Sequence, residues 1–344
     1  MQAAYLVRPG EIEIRDVPTP QPAEGEVVLR VERALTCGTD LKAYRRGHPL
    51  IPMPGPLGHQ YAGIVERVGR GVAGFEPGEP VWGVNSAPCM QCRFCHRRRY
   101  NLCRSVSQEL LLGAFAQYLR IPRRVVEQNL LPRPGSMPAW KAAFLEPVSC
   151  VVHALRAIAW RDVERVLVVG LGSMGLLFTQ LLPRFTSAVR VGTGRNVGRL
   201  ALARKLGIDQ AVCVDEGPPR EQLAGDGFDC VIECTGKPEG WKTAFEAVDA
   251  GGQVMFFGGL PKGTTFEADA YRLHYEEVRL LGSFHFTPLD VRAAAEIFQD
   301  DVLQLDELVS GEMPLRSLPE ALEKMATGAG IKYAIDPGRD SAVS

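Results

Sequence analysis

The sequence predicts an α/β fold in two parts, an irregular β-rich part and a doubly wound parallel sheet. Three observations carry this. Short β-branched segments punctuated by proline and glycine fill the first 150 residues, strands alternate with helices from about residue 150, and a glycine-rich turn joins the first of these strands to its helix. The 344 residues exceed one ordinary domain and fit two. With 46% hydrophobic and 23% charged residues the chain can bury a large core, which excludes a disordered or fibrous protein.

In the first part, 27–31 and 62–68 read as strands. The clusters Pro18-Thr19-Pro20-Gln21-Pro22 and Pro52-Met53-Pro54-Gly55-Pro56 exclude helix there, because each proline removes a backbone donor. In the second part, 166–169 is an apolar strand and 176–182 its helix. The segment 188–191 is a second strand, and 197–206 a second helix that stops at Gly207. Strands at 231–234 and 253–257 flank a helix at 240–248. Helices at 289–298 and 318–325 and a strand at 331–335 close the chain.

The formal net charge of −1 argues against nucleic acid or an anionic membrane as the main partner. Met1-Gln2-Ala3-Ala4-Tyr5 shows no basic region followed by an apolar run, so no secretory leader and a cytoplasmic location are expected. The apolar uncharged stretch 166–182 is short for a membrane span and contains Gly170, Gly172, Ser173, Gly175 and Gln180.

Gly170-Leu171-Gly172-Ser173-Met174-Gly175 is G-x-G-x-x-G between a strand and a helix, the context that gives the pattern meaning. The first glycine allows a tight turn, the second lets the backbone approach a pyrophosphate, and the third lets helix and strand pack closely. The end of the next strand reads Val191-Gly192-Thr193-Gly194-Arg195-Asn196, with Arg199 one turn on. The carboxylate that would hold the ribose hydroxyl of NAD is missing. A small residue followed by two arginines suits a 2′-phosphate, so NADP is expected in preference to NAD.

Cys89, Cys92, Cys95 and Cys103 crowd into fifteen residues. Four thiolates at this spacing close a tetrahedral zinc site with no open position, which is structural. Arg93, Arg97, Arg98, Arg99 and Arg104 surround them, as in a nucleic-acid-binding zinc module. The paired Cys-Cys and His-His arrangement of a classical finger is absent, however, and few aromatics interleave. A solvated basic loop is therefore expected, with His96 not needed as a ligand.

Cys37-Gly38-Thr39-Asp40, Gly58-His59 and Glu146-Pro147 are each unremarkable alone. Together with the four-cysteine segment, the glycine-rich turn and Ile331-Lys332-Tyr333-Ala334-Ile335, they make nearly the whole chain resemble the zinc-dependent medium-chain alcohol dehydrogenases. Within that family it looks most like the polyol (sorbitol) and threonine dehydrogenase branch. The resemblance implies a GroES-like catalytic domain at 1–150 and 290–344 and a Rossmann domain at 151–289, with substrate between them. It implies two zinc ions per chain, one structural and one catalytic. Cys37, His59 and Glu146 would surround the catalytic ion, Asp40 would act from behind, and Thr39 would pass on the proton of an alcohol substrate. Cys150, Thr235, Gly258, Gly259 and Leu260 would line the dinucleotide, Lys332 would approach its pyrophosphate, and Ser283-Phe284-His285 would border the active site. His285 is then either a substrate contact or a packed ring, and His153 a structural histidine.

Two departures from the branch stand out. Gln60 occupies a position where the branch usually has Glu, which leaves open whether Gln60 or Glu146 completes the zinc site. Lys42 replaces a histidine that relays protons. The relay then runs through water or the cofactor ribose, or Lys42 contacts the substrate. The activity implied is oxidation of a secondary alcohol (polyol, cyclitol or sugar-like) to a ketone by a homodimer or homotetramer. The alternatives are an amino-cyclitol or sugar dehydrogenase, a threonine dehydrogenase, or a non-catalytic NADPH-binding protein.

Overall fold

A computed structural model describes residues 1–223, 227–300 and 302–339. The chain divides into two compact units. The first is Met1–Ser149, Phe286–Glu296 and Leu305–Ser344, and the second is Cys150–His285 and Ile297–Gln304. The segment 297–304, which the sequence assigns with 290–344, thus groups with the second unit. Gln304 N–H donates there to Gln180 Oε1 at 2.7 Å.

The first unit is built on a seven-stranded sheet centred on Val27–Leu35, which pairs antiparallel with Tyr61–Val68, Tyr118–Ile121 and Lys332–Asp336. Val27, Leu29 and Val31 alternate into the core beside Val65, Val81 and Ile335, and Val28 on the opposite face is buried as well. A smaller sheet joins Gln2–Arg8 to Glu11–Asp16 and Gly55–Pro56. The closing strand is locked to the first-built part of the sheet. Thr36 N–H donates to Tyr333 O at 3.0 Å, and Tyr333 N–H donates to Thr36 Oγ1 at 2.9 Å. That pairing carries Lys332 to the residue before Cys37.

Gly38–Arg46 and Leu145–Ala157 form helices that the sequence pattern does not signal. Cys37 caps the first. Thr39 N–H donates to Cys37 Sγ at 3.2 Å, and Cys37 N–H donates to Asp40 Oδ2 at 3.0 Å. A cysteine N-cap falls outside the usual Ser/Thr/Asp/Asn signal, which is why the pattern hid it. In the second helix Pro147 sits in the first turn, where no backbone donor is lost.

The second unit holds a six-stranded, wholly parallel sheet. Its order is Gln210–Cys213, Val189–Gly194, Arg165–Val169, Phe228–Glu233, Val248–Phe256 and Arg279–Gly282. In chain order this is 3-2-1-4-5-6, which places a topological switch point between Arg165–Val169 and Phe228–Glu233. Leu167, Val191, Val231 and Val254 form its core with Phe228 and Phe245. The helix after the glycine turn begins at Ser173, three residues earlier than the sequence pattern indicated, because Gly172 is its cap. Among the described residues no helix is long and apolar enough to cross a membrane.

Candidate active site and metal centres

In the first unit, Cys37 Sγ stands 3.3 Å from His59 Nε2, and both side chains are buried. Asp40 lies behind the ring, with Oδ1 3.4 Å from His59 Nδ1, and completes a group of possible ligand atoms within 4.8 Å of one another. Since Asp40 faces Nδ1, Nε2 is the nitrogen left for a metal on the Cys37 side. A carboxylate behind a metal-binding histidine fixes ring and tautomer in this way. Burial pushes the His59 pKa down, but the Cys37 and Asp40 charges outweigh it and hold the group well above its ordinary value. A soft thiolate and an imidazole facing each other in a buried site are a donor set that suits zinc.

Glu146 lies outside that close group. Its Oε2 accepts from Gln60 Nε2 at 2.7 Å, while Gln60 Oε1 accepts from Lys332 Nζ at 2.7 Å. Lysine only donates and an ionised carboxylate only accepts, so the two neighbours fix the amide orientation. Gln60 Oε1 is thus engaged by Lys332, and Gln60 Nε2 faces the Glu146 carboxylate.

Lys332, expected from the resemblance near the pyrophosphate, makes all its described side-chain contacts inside the first unit. Its side chain is wholly buried within the first unit, Nζ donates to Thr36 O at 2.8 Å as well as to Gln60, and it lies 5.6 Å from the Phe144 ring centroid. Within the first unit it bonds to the residue before Cys37 and to the residue after His59. Burial pushes its pKa down, against the opposing pull of Cys37, Glu146 and Asp40.

The four sulfurs of Cys89, Cys92, Cys95 and Cys103 lie within 4.8 Å of one another, and all four are free thiols. Cys92 and Cys95 are 3.6 Å apart, well beyond the ~2.05 Å of a disulfide. Tetrahedral zinc with ~2.3 Å bonds separates its sulfurs by about 3.8 Å, so the donors fit. The hydrophobic cluster here consists of the cysteines, Val106 and Tyr100. Little apolar material besides the cysteines packs in this segment among the described residues. The Cys95 N–H, chiefly, lowers the Cys92 pKa to about 6, and burial raises that of Cys95 to about 12. Arg93, His96, Arg97, Arg98 and Arg99 are exposed around the cluster and outside the ligand set.

In the second unit the glycines of the turn divide by function. Gly170 has φ +96°, and a Cβ there would lie 2.6 Å from Thr235 Cγ2. A Cβ at Gly175 would lie 2.0 Å from Gly170 O. The fold itself demands both. A Cβ at Gly172 would meet nothing within 4 Å, so the protein leaves open space at the cap of the helix, and Ser173 and Met174 border it half-buried. That is the approach a pyrophosphate requires at a helix N-terminus. Gly194 ends its strand, and Arg195 rather than an acidic residue follows it. Arg195 pairs with Asp215 at 3.2 Å on the surface, and the half-buried Arg199 lies in the first turn of Val197–Lys205. Thr235, Gly258, Gly259 and Leu260 follow the two strands on the other side of the switch point. Cys150 lies half-buried in Leu145–Ala157. His285 has φ +62° and stacks on Phe284, with ring centroids 5.6 Å apart.

Comparison with known proteins agrees with both units. Residues 23–132 match the alcohol dehydrogenase GroES-like domain, and residues 173–300 match the zinc-binding dehydrogenase family. An L-threonine 3-dehydrogenase of Chromobacterium violaceum is 31% identical over 77% of this chain and 79% of its own. A sorbitol dehydrogenase of Halalkalibacterium halodurans is 27% identical over 95% and 96%. Among solved structures, a zinc-binding dehydrogenase of Sinorhizobium meliloti 1021 bound to NADP superposes with a TM-score of 0.88. It is 29% identical and covers 98% of this chain and 99% of its own. A thiolate–imidazole pair in one unit and a parallel sheet with an open glycine turn in the other thus find their counterpart in sequence as well as in shape: this chain belongs to the zinc-dependent medium-chain dehydrogenases, the NAD(P)-dependent alcohol and polyol dehydrogenases.

Proposed function

We propose that the protein oxidises a secondary alcohol (polyol, cyclitol or sugar-like) to the ketone, with NADP preferred over NAD as hydride acceptor. The observation that carries this is the buried contact of Cys37 Sγ with His59 Nε2, backed by Asp40. It provides a metal-binding pair with one side held by the protein. Zinc, when bound, supplies polarisation of the substrate hydroxyl, and the nicotinamide accepts hydride. Cys37, His59 and Glu146 hold the catalytic ion, while Cys89, Cys92, Cys95 and Cys103 hold a second, structural ion. Asp40 keeps the His59 ring in place. Thr39, half-buried and two residues beyond Cys37, takes the hydroxyl proton.

The NADP preference rests on the missing carboxylate at Gly194 and on Arg195 and Arg199. The NADP-bound relative supports it. Threonine is the second reading. It is itself a secondary alcohol, and the Chromobacterium violaceum relative acts on it by name. The protein works as a homodimer or homotetramer in the cytoplasm, on a small alcohol rather than on nucleic acid or a membrane.

The test is nicotinamide absorbance with NADP⁺ and NAD⁺ against linear polyols, cyclitols, amino-cyclitols, aldoses, simple secondary alcohols and threonine, with and without a zinc chelator. Chelator-sensitive reduction of NADP⁺ by one substrate group is expected. Silence across the panel with NADPH still bound would favour a substrate outside the panel or the non-catalytic reading.

A further inference from the structure

Glu233 ends the strand Phe228–Glu233 in the middle of the parallel sheet, and none of it is exposed. A carboxylate among Val231, Ile232 and Cys230 is costly to bury unless something in the fold uses it. Its Oε1 accepts from the N–H of Thr235 at 2.6 Å, from the N–H of Gly236 at 3.0 Å, and from the Thr235 hydroxyl. Its backbone carbonyl accepts from the N–H groups of Phe257 at 3.1 Å and Gly258 at 3.0 Å. One residue therefore ties the loop after its own strand to the loop after the neighbouring strand.

The packing around it is tight. A Cβ at Gly258 would lie 2.2 Å from Gly236 N and 2.5 Å from Glu233 Oε2. A Cβ at Gly240 would lie 2.1 Å from Thr235 Oγ1. Thr235, so fixed, presses its methyl group on Gly170, the first glycine of the dinucleotide turn. The C-terminal ends of three adjacent strands, Arg165–Val169, Phe228–Glu233 and Val248–Phe256, thus meet around one carboxylate. The first two of these flank the switch point, where a doubly wound sheet receives its ligand.

We propose that Glu233 is a positioning residue for the dinucleotide. It gathers Thr235, Gly236 and Gly258 so that the three loops keep the shape the cofactor enters. The proposal rests on reading Gly170 to Gly175 as the pyrophosphate turn. Glu233 touches no reacting atom, and it acts through Thr235 and the Gly258 backbone.

The experiment is NADPH fluorescence titration of the full chain as wild type, Glu233→Gln, Glu233→Met and Thr235→Val, with zinc content and circular dichroism measured on each. Glutamine keeps an acceptor oxygen for the three donors, and its affinity should stay within about threefold of wild type. Methionine leaves those donors unpaired and should weaken NADPH by about tenfold or more. Zinc content should be the same in all four, because every proposed zinc ligand lies in the first unit. Equal NADPH affinity in wild type and folded Glu233→Met overturns the proposal. If Glu233→Met does not fold, Thr235→Val decides: several-fold weaker binding supports the proposal, and unchanged binding overturns it. A wild type that binds neither NADPH nor NADH overturns the reading of the turn itself, and this proposal with it.

Discussion

Lys332 Nζ donates to Gln60 Oε1 at 2.7 Å across 272 residues of sequence, and through that amide it sets the position of Glu146. An ammonium can only donate, so it turns the amide nitrogen of Gln60 toward the carboxylate. Gln60 thereby links a lysine to a carboxylate through the two ends of its amide.

Lys332→Met leaves Gln60 Oε1 and Thr36 O unpaired in a closed site, which should cost about 1–3 kcal/mol of stability for each orphaned acceptor. The catalytic zinc should be lost or weakened while NADPH affinity stays within about twofold. Metal analysis and fluorescence titration separate this from a pyrophosphate role, in which dinucleotide binding would fall and zinc would stay.

Cys37→Ser and His59→Ala each remove a donor from the buried pair. Turnover should fall by at least about a hundredfold, with dinucleotide binding intact. Full activity in either variant would sink the assignment of the catalytic centre.

The four-thiol cluster should behave as a separate site. Wild type is expected to carry two zinc ions per chain and Cys95→Ser one, with a lower melting temperature, because the segment has little core besides its cysteines. Mass spectrometry under native conditions counts the ions. Two ions in Cys95→Ser would contradict the structural site.

Gly194→Asp restores the carboxylate at the strand end. A Cβ there meets Leu171 no closer than 3.7 Å, so the fold accommodates it. The ratio of kcat/KM for NADP⁺ to that for NAD⁺ should fall by about tenfold or more, equivalent to ~1.4 kcal/mol. Arg195→Ala and Arg199→Ala should lower the same ratio by weakening the NADP⁺ term alone.

Much of this was legible in the sequence because it was local. The glycine turn, its strand and helix, and the four cysteines each lie within a short stretch, where spacing alone brings side chains to one place. The helix capped by Cys37 was not legible, since a thiol is an unusual cap and the pattern gives it no weight. Glu233 carries no motif signal at all. It is one acidic residue in an apolar run, and its meaning comes from the donors that converge on it.

The sequence by itself determined the two-part α/β architecture, the dinucleotide turn and the thiol cluster, because each follows from backbone periodicity or from ligands a few residues apart. The tertiary structure alone decided what Lys332 and Gln60 touch. The strand Lys332–Asp336 pairs antiparallel beside Leu35, and that pairing brings a lysine from the end of the chain under the Cys37–His59 site. Local sequence gives no measure of such a contact. Its partners are chosen by sheet register and by the need of a buried ammonium for acceptors.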